Sequence, residues 1–283
     1  MTPRQQALDI LRRIGHVADE DIDLGEAALA LALLDCPGTD LAPYRAHLST
    51  MANDLAAIVD EMGGAQMLED KIAALHRLLV GVHGYQGDTE TYSDLQNANL
   101  IRVIDRRQGL PVALGILIMV AARSQGWTLV GLSFPGHFLV RLDDGPARQI
   151  LDPFDGVSPR DPRELREMLK QTMGLEAELT AEHYAPVSNR EVLLRLQNNL
   201  KLRHLSTDQP EKALRVVEDM LLFAPEHIGL WRESGLLNAH VGNLAAGIGA
   251  FERFLQLGRE RGASPQLLNH TETLLRQLRG RLN

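Results

Sequence analysis

The sequence predicts an α+β fold that is mostly helical, on three observations. Apolar residues recur three and four positions apart through the first 85 residues and again from about residue 161. Between these stretches, β-rich runs flank an Asp-Gly turn signal at Asp144-Gly145. In the last third, a residue pattern returns after 34 positions. We therefore predict a helical region over 1–85, a small core with antiparallel strands over 86–180, and a helical repeat domain over 188–283.

The composition is that of an ordinary globular protein and excludes several function classes. The chain has 283 residues, 45% hydrophobic, with a net charge of −8, which opposes a nucleic-acid or anionic-membrane partner. The single cysteine, Cys36, excludes an internal disulfide and a Cys-rich zinc site. No histidine pair has metal-ligand spacing and no glycine-rich phosphate loop is present, so we expect neither metal nor cofactor.

The apolar segments predict a cytoplasmic location. The longest run, Val112 to Ala122, is too short to span a bilayer. The N-terminus leads into an amphipathic pattern around Leu8–Ile14 and lacks the apolar block of a signal peptide.

Four helices are predicted in the N-terminal region, from the spacing of their apolar residues. The first is centred on Leu8–Ile14, and the others span Asp23–Leu34, Leu41–Ile58 and Met67–Val82. Cys36-Pro37-Gly38 ends the second helix, and Gly63-Gly64 separates the last two.

The central region predicts one buried helix followed by strands. Pro111 suits a helix's first turn, and the apolar run that it opens continues to about Ser124. A β-rich run at Thr128–Phe134 precedes the hairpin. If the hairpin turn centres on Asp144-Gly145, His137 lies opposite Asp152, with Cβ atoms about 5 Å apart. A carboxylate at that distance could orient the imidazole, which is two-thirds of a hydrolase or transferase triad.

The C-terminal pattern resembles the tetratricopeptide (TPR) repeat, with copies at about 194–227 and 228–261. Equivalent positions of the two copies lie 34 residues apart: Gln197 corresponds to Trp231, Ala213 to Gly247 and Val217 to Phe251. Ser188-x-x-Glu191 is a capping box that opens the first repeat helix, and Ser264-Pro265 starts a last helix. The alternative is a helical bundle without repeats.

The order of the buried helix and the strands along the chain also resembles that of papain-like and transglutaminase-like enzymes. Those enzymes place a nucleophilic cysteine at the first turn of a buried helix, with His and Asp on following strands. Here the equivalent position falls at Pro111, or within a turn of it at Val112 or Ala113, and none of these can attack a carbonyl.

The central blocks resemble the SirB-like bacterial family, which joins a helical N-terminal region, a transglutaminase-like core and C-terminal TPRs. The blocks that carry the resemblance are Asp94-x-x-Asn97-x-x-Leu100-x-x-Val103, Arg106-Arg107-x-Gly109-Leu110-Pro111, Phe134-Pro135-Gly136-His137-Phe138-Leu139-Val140-Arg141, Asp152-Pro153-Phe154-x-Gly156 and Leu194-Arg195-x-x-Asn198-Asn199-Leu200-Lys201. The sequence departs from the family at Leu95, Ala98 and Asn99, and at Ala113 and Gly115, where relatives carry other, often polar, residues.

These patterns lead to one main functional hypothesis. We expect a non-catalytic protein-interaction or regulatory protein, with a degenerate core and TPR-like helices that dock a protein or peptide partner. The residues predicted to bind a ligand are Asn97, His137, Arg141 and Asp152.

Alternatives stay open for each of these residues and for the protein. His137 and Asp152 could instead form a structural pair, Arg141 could face solvent, and Asn97 could cap a loop. The chain could also be a peptidase, amidase or acyltransferase with an unorthodox nucleophile, or a structural subunit that buries its hairpin against a partner.

Overall fold

The computed structural model describes residues 2–282, which contain twelve α-helices and six short strands. The helices are α1 (Pro3–Ile14), α2 (Leu24–Asp35), α3 (Ala42–Glu61), α4 (Leu68–His76), α5 (Leu100–Arg106), α6 (Pro111–Ser124), α7 (Pro162–Met173), α8 (Asn189–Ser206), α9 (Pro210–Phe223), α10 (Ile228–His240), α11 (Leu244–Glu260) and α12 (Pro265–Leu282). The strands are β1 (Gln86–Gly87), β2 (Gln108–Gly109), β3 (Thr128–Gly131), β4 (Val140–Asp144), β5 (Ala147–Asp152) and β6 (Ser158–Arg160). The chain is 65% helical with a small antiparallel sheet, which confirms the predicted class. Within residues 2–282, no helix is long and apolar enough to cross a membrane.

Local capping chemistry explains several helix boundaries. Asp23 accepts a hydrogen bond from the backbone N–H of Glu26 at 3.0 Å and so begins α2. Before α8, the Ser188 hydroxyl accepts from Glu191 N at 3.1 Å while the Glu191 carboxylate accepts from Ser188 N at 2.7 Å. Both bonds of the predicted capping box are therefore present.

The residues group into two compact units. The first comprises Ala18–Leu196 with the initial residues through Ala7. The second comprises Leu8–Val17 and the chain from Gln197 onward. The division into regions over 1–85, 86–180 and 188–283 stays a prediction.

The larger sheet of the first unit has the strand order β3-β4-β5-β6, with every neighbouring pair antiparallel; β1 and β2 form a separate parallel pair. Its register aligns Val130, Arg141, Ile150 and Arg160 in one row across the four strands. Because side chains alternate along a strand, that row shares one face of the sheet. Val130 and Ile150 pack there against Leu165 and Leu169 of α7.

The predicted hairpin register is wrong by two residues. Asp144 pairs with Ala147 and Val140 pairs with Leu151, so Gly145-Pro146 forms the turn instead of Asp144-Gly145. Proline explains the difference. A turn at Asp144-Gly145 would require Pro146 to donate a closing hydrogen bond, and proline has no N–H. Gly145 has φ +59°, in the left-handed region that such a tight turn needs.

The second unit contains the predicted repeat. Helices α9 and α11 begin at Pro210 and Leu244, one 34-residue period apart. Inside the second copy, a Cβ on Gly235 would lie 2.3 Å from the ring of Phe251. Glycine at this position therefore lets α10 and α11 approach closely. Trp231 donates its indole N–H to Pro225 O at 2.8 Å and packs with the apolar cluster around Phe251.

Candidate functional site

The centre of the first unit is helix α6, whose first turn lacks a reactive side chain. Pro111 occupies the first position, and Val112 and Ala113 follow it, all three buried. A Cβ on Gly115 would lie 2.6 Å from the ring of Phe138. Glycine at 115 thus makes room for the residue that follows His137, and this contact seats the His137 segment against α6.

His137 and Asp152 form the predicted contact, although His137 precedes β4 and does not lie on a strand. His137 Nε2 is 2.9 Å from Asp152 Oδ1. The imidazole stands edge-on to the ring of Phe154, with centroids 6.0 Å apart. Arg195 donates to the backbone oxygen of His137 at 3.0 Å. We call His137 and Asp152 the imidazole pair.

Asp152 is held by more than the imidazole. Only 3% of the residue is exposed. Its Oδ1 also accepts from Phe154 N at 3.0 Å, and its Oδ2 accepts from Arg160 Nη2 at 2.9 Å. Burial acts to raise the pKa of Asp152, but the hydrogen bonds and positive charges of His137 and Arg160 outweigh it, so the pKa is lowered.

An ionised Asp152 fixes which imidazole nitrogen carries the proton. A carboxylate can only accept, so His137 Nε2 donates to it, and in the neutral imidazole Nδ1 carries the lone pair. In the described part of the chain, Nδ1 makes no hydrogen bond, and the His137 side chain is 22% exposed. In its neutral form the imidazole therefore carries an oriented acceptor that no residue in the described part of the chain uses.

Potential nucleophiles lie elsewhere. Among residues 2–282, no serine, threonine, tyrosine or cysteine side chain is hydrogen-bonded to His137. Cys36 lies at the end of α2, where its Sγ is 3.7 Å from Asn99 Nδ2. Tyr92 packs edge-on against Phe154, with centroids 5.6 Å apart. Burial raises the pKa of the Tyr92 phenol and so disfavours a reactive phenolate.

The structure places Asn97 in a separate buried cluster that fixes the loop before α6. Its Nδ2 donates to Thr91 O at 2.7 Å, and its Oδ1 accepts from Arg106 at 2.9 Å. Arg106 also donates to Asp88 Oδ2 at 3.0 Å, and Asp88 accepts from Thr91 N at 2.7 Å. Asn97 O receives the N–H of Leu110, directly before α6. We call Asp88, Thr91, Asn97 and Arg106 the loop network.

Arg141 is likewise engaged away from the imidazole pair. Its guanidinium donates to both carboxylate oxygens of Asp143, at 2.7 and 2.8 Å. It shares its row of the sheet with Ile150 and Arg160, on the face that α7 covers. The structure thus brings together two of the four predicted ligand-binding residues, His137 and Asp152.

Sequence reasoning missed Arg160 and Arg195, the two arginines that contact the pair. Arg160 lies on β6, a strand that was not predicted; β6 is at the edge of the sheet, where a proline such as Pro159 is tolerated. The Arg195 contact joins positions 58 apart in sequence, and no local pattern signals it.

Comparison with known proteins identifies the family. A model described as the transglutaminase-like superfamily matches residues 42–198, and a tetratricopeptide repeat model matches residues 200–281. The chain belongs to the transglutaminase-like superfamily. It is 32% identical over 256 residues to a UPF0162 protein of Xylella fastidiosa, covering 89% of this chain and 90% of that protein.

A second relative confirms the SirB-like resemblance. Protein SirB1 of Salmonella typhimurium is 29% identical over 174 residues, covering 61% of this chain and 64% of that protein. Among solved structures, menin, whose crystal structure shows the binding site for the Mixed Lineage Leukemia protein, aligns with a TM-score of 0.42 and 9% identity. That alignment covers 90% of this chain and 70% of menin.

Proposed function

We propose that this chain is a non-catalytic, cytoplasmic protein-interaction or regulatory protein. In this proposal the transglutaminase-like core has lost its nucleophile and keeps His137 and Asp152 as a binding pair for a peptide or small polar ligand. The tetratricopeptide repeats, which generally mediate protein–protein interaction, dock a protein partner.

The observation that carries the proposal is the chemistry at the start of α6. Acyl transfer through a covalent intermediate needs a nucleophile within hydrogen-bond reach of its base. The first turn of α6 offers Pro111, Val112 and Ala113, whose side chains are hydrocarbon. His137 Nδ1 therefore has no partner to activate in the described part of the chain, which favours binding over catalysis.

Asn97 and Arg141, also predicted to bind the ligand, take supporting roles in this proposal. Both polar ends of Asn97 are bonded within the loop network, and Arg141 is paired with Asp143. Binding a ligand through either residue would first require breaking these contacts. His137, with an oriented and unbonded nitrogen, is the residue on which the proposal depends.

The alternative is an enzyme with an unorthodox nucleophile, and Tyr92 is the side chain that favours it. Its ring and the imidazole of His137 both contact the ring of Phe154, and the charge of Asp152 acts on its phenol. Against it, burial raises the pKa of the phenol, with a smaller contribution from the Asp152 carboxylate, and the opposing charge of Arg195 does not outweigh them.

Two measurements on the full chain decide between binding and catalysis. The first incubates wild-type protein with glutamine-containing peptides, peptide amides and a primary amine acceptor, and follows ammonia release and amide coupling by mass spectrometry. We expect rates equal to those of buffer. Turnover that disappears in Tyr92→Phe would support the enzyme instead.

The second measurement compares affinity capture from native cytoplasm by wild type, His137→Ala and His270→Ala. His270 is an exposed histidine on α12 and serves as the matched control. We expect a partner that wild type and His270→Ala retain and His137→Ala loses. Equal capture by all three would contradict a binding role for the imidazole.

A further inference from the structure

A cavity of about 530 Å³ opens on the α7 face of the sheet, within the first unit. Four of its lining residues are arginines: Arg141, Arg148, Arg160 and Arg166. The lining contains no carboxylate, although the whole chain carries a net charge of −8. A concentration of guanidinium groups in an acidic protein points to an anionic occupant.

The sheet register explains how three of these arginines meet. Arg141 and Arg160 flank Ile150 in one row across β4, β5 and β6. Arg148 lies two residues before Ile150 on β5, so its side chain shares that face. The fourth arginine, Arg166, comes from α7. The cavity is thus built from a folded sheet and a helix, which hold their side chains more firmly than a loop does.

Two of the four charges are already compensated. Arg141 pairs with Asp143 through both carboxylate oxygens. Arg160 donates to Asp152 and to Asp155, at 2.9 and 2.8 Å, and lies 3.3 Å from Glu164. These pairs fix the two guanidinium groups in place along the row.

The other two charges have no counter-ion. In the part of the chain that the structure describes, Arg148 and Arg166 form no ion pair. The cross-strand neighbour of Arg148 is Asp143, whose two oxygens both bind Arg141. Arg148 and Arg166 are therefore available to an oxyanion that enters the cavity.

The rest of the wall is mostly apolar, apart from Gln149 and Tyr184, and it restricts the class of ligand further. Ile150, Leu165 and Leu179 line the cavity beside the arginines. Guanidinium binds carboxylate and phosphate through paired hydrogen bonds, while an apolar wall favours hydrocarbon. The cavity volume falls in the range of small-molecule sites, about 300–1,000 Å³.

We propose that this cavity binds a small organic oxyanion, a carboxylate or phosphate monoester that carries a hydrocarbon group. Arg148 and Arg166 contact the anion, and Ile150, Leu165 and Leu179 contact the hydrocarbon. The site is separate from the Nδ1 face of His137 and does not depend on the function proposed above.

The test is a titration of the full chain followed by methyl NMR of Ile150, Leu165 and Leu179. The probes are phenyl phosphate, phenylacetate, inorganic phosphate and benzyl alcohol. We expect saturable shifts with phenyl phosphate or phenylacetate, and the tighter of the two identifies the anion. Inorganic phosphate lacks the hydrocarbon and benzyl alcohol lacks the charge, so both should bind at least tenfold more weakly.

The matched variants are Arg148→Gln/Arg166→Gln and, as control, Arg163→Gln. Arg163 lies on α7 with an 85% exposed side chain and does not line the cavity. We expect the double variant to weaken binding at least tenfold and the control to change it less than twofold. Added NaCl should weaken binding to wild type, a result that needs no variant.

Several results would overturn the proposal. These are the absence of methyl shifts with both organic anions at millimolar concentration, equal binding of benzyl alcohol, equal binding of inorganic phosphate, and unchanged affinity in a folded double variant. The fold of each variant is checked by its circular dichroism melt. His137→Ala should leave this titration unchanged, so the result is independent of the imidazole test.

Discussion

The loop network and the imidazole pair belong to the same unit and use similar residue types, but they differ in how completely their polar atoms are bonded. In the loop network, Asn97 is fully buried and both ends of its amide are bonded. In the imidazole pair, Asp152 is as buried as Asp88, yet His137 keeps an unbonded and accessible nitrogen. The difference teaches that burial of a carboxylate alone does not single out a candidate binding residue, whereas a neighbouring polar atom without a hydrogen bond does.

The largest expected effect is at the loop network. Asp88→Ala leaves Arg106 without its carboxylate and Thr91 without its acceptor. We expect the free energy of unfolding to fall by about 3 kcal/mol, the low end for a broken buried pair, because Arg106 is partly exposed. Urea denaturation measures this. Asp60→Ala, an exposed carboxylate on α3, should change stability by less than about 0.5 kcal/mol. Equal losses of stability in Asp88→Ala and Asp60→Ala would contradict the stabilising role assigned to the loop network.

The loss of stability in acid should also be larger at the loop network than at the imidazole pair. The hydrogen bonds from Thr91, ahead of those from Asn97 and Arg106, outweigh burial and hold the pKa of Asp88 well below its usual value. A carboxyl group whose pKa is lower in the folded state stabilises the fold above its unfolded pKa. That stability is lost as the pH falls below about 4, with a slope up to about 1.4 kcal/mol per pH unit for one proton.

The pH dependence of unfolding therefore separates the two carboxylates. Asp88→Asn should flatten the acid limb of stability more than Asp152→Asn does, since burial opposes the shift at Asp152 more effectively. Urea unfolding at a series of pH values below 5 measures both limbs. A steeper acid limb in Asp88→Asn than in wild type would contradict the assignment.

The next largest loss of stability is expected where Phe138, the residue after His137, packs against Gly115 of α6. Gly115→Ala places a Cβ 2.6 Å from the buried Phe138 ring, an overpacking that should cost about 1–3 kcal/mol. Gly249→Ala is the matched control, because that helical glycine has no atom within 4 Å of the added Cβ. It should stabilise the protein by about 0.5–1 kcal/mol. Thermal unfolding of both variants tests whether Phe138 holds the segment against α6.

The smallest effect is expected at His137. His137→Ala removes one of several bonds to Asp152, which keeps Arg160 and Phe154 N. We expect a loss of about 1 kcal/mol in the free energy of unfolding, measured by urea denaturation. A loss as large as that of Asp88→Ala would make the pair structural, one of the interpretations that the sequence left open.

Much of the fold was predictable because its signals are local. Pro111, the Ser188-x-x-Glu191 box and the 34-residue spacing each act within one element or its direct neighbour. The hairpin register was mispredicted although Pro146 carried the needed information: a residue without an N–H cannot close the turn.

The candidate site was predictable only in part, because its contacts depend on the register of the sheet and on long-range packing. His137 meets Asp152 despite the two-residue error, since Gly136–Leu139 precedes β4 and does not follow strand alternation. Arg160 and Arg195 join the pair through a proline-containing edge strand and a helix 58 positions away. Neither contact has a signature in the nearby residues.

Asp152 divides its two oxygens between His137 and Arg160, and Arg160 also lines the arginine cavity. Replacing Asp152 therefore disturbs an imidazole and a guanidinium at once, and the resulting phenotype belongs to neither alone. Only a double-mutant cycle between positions 137 and 160 can apportion it.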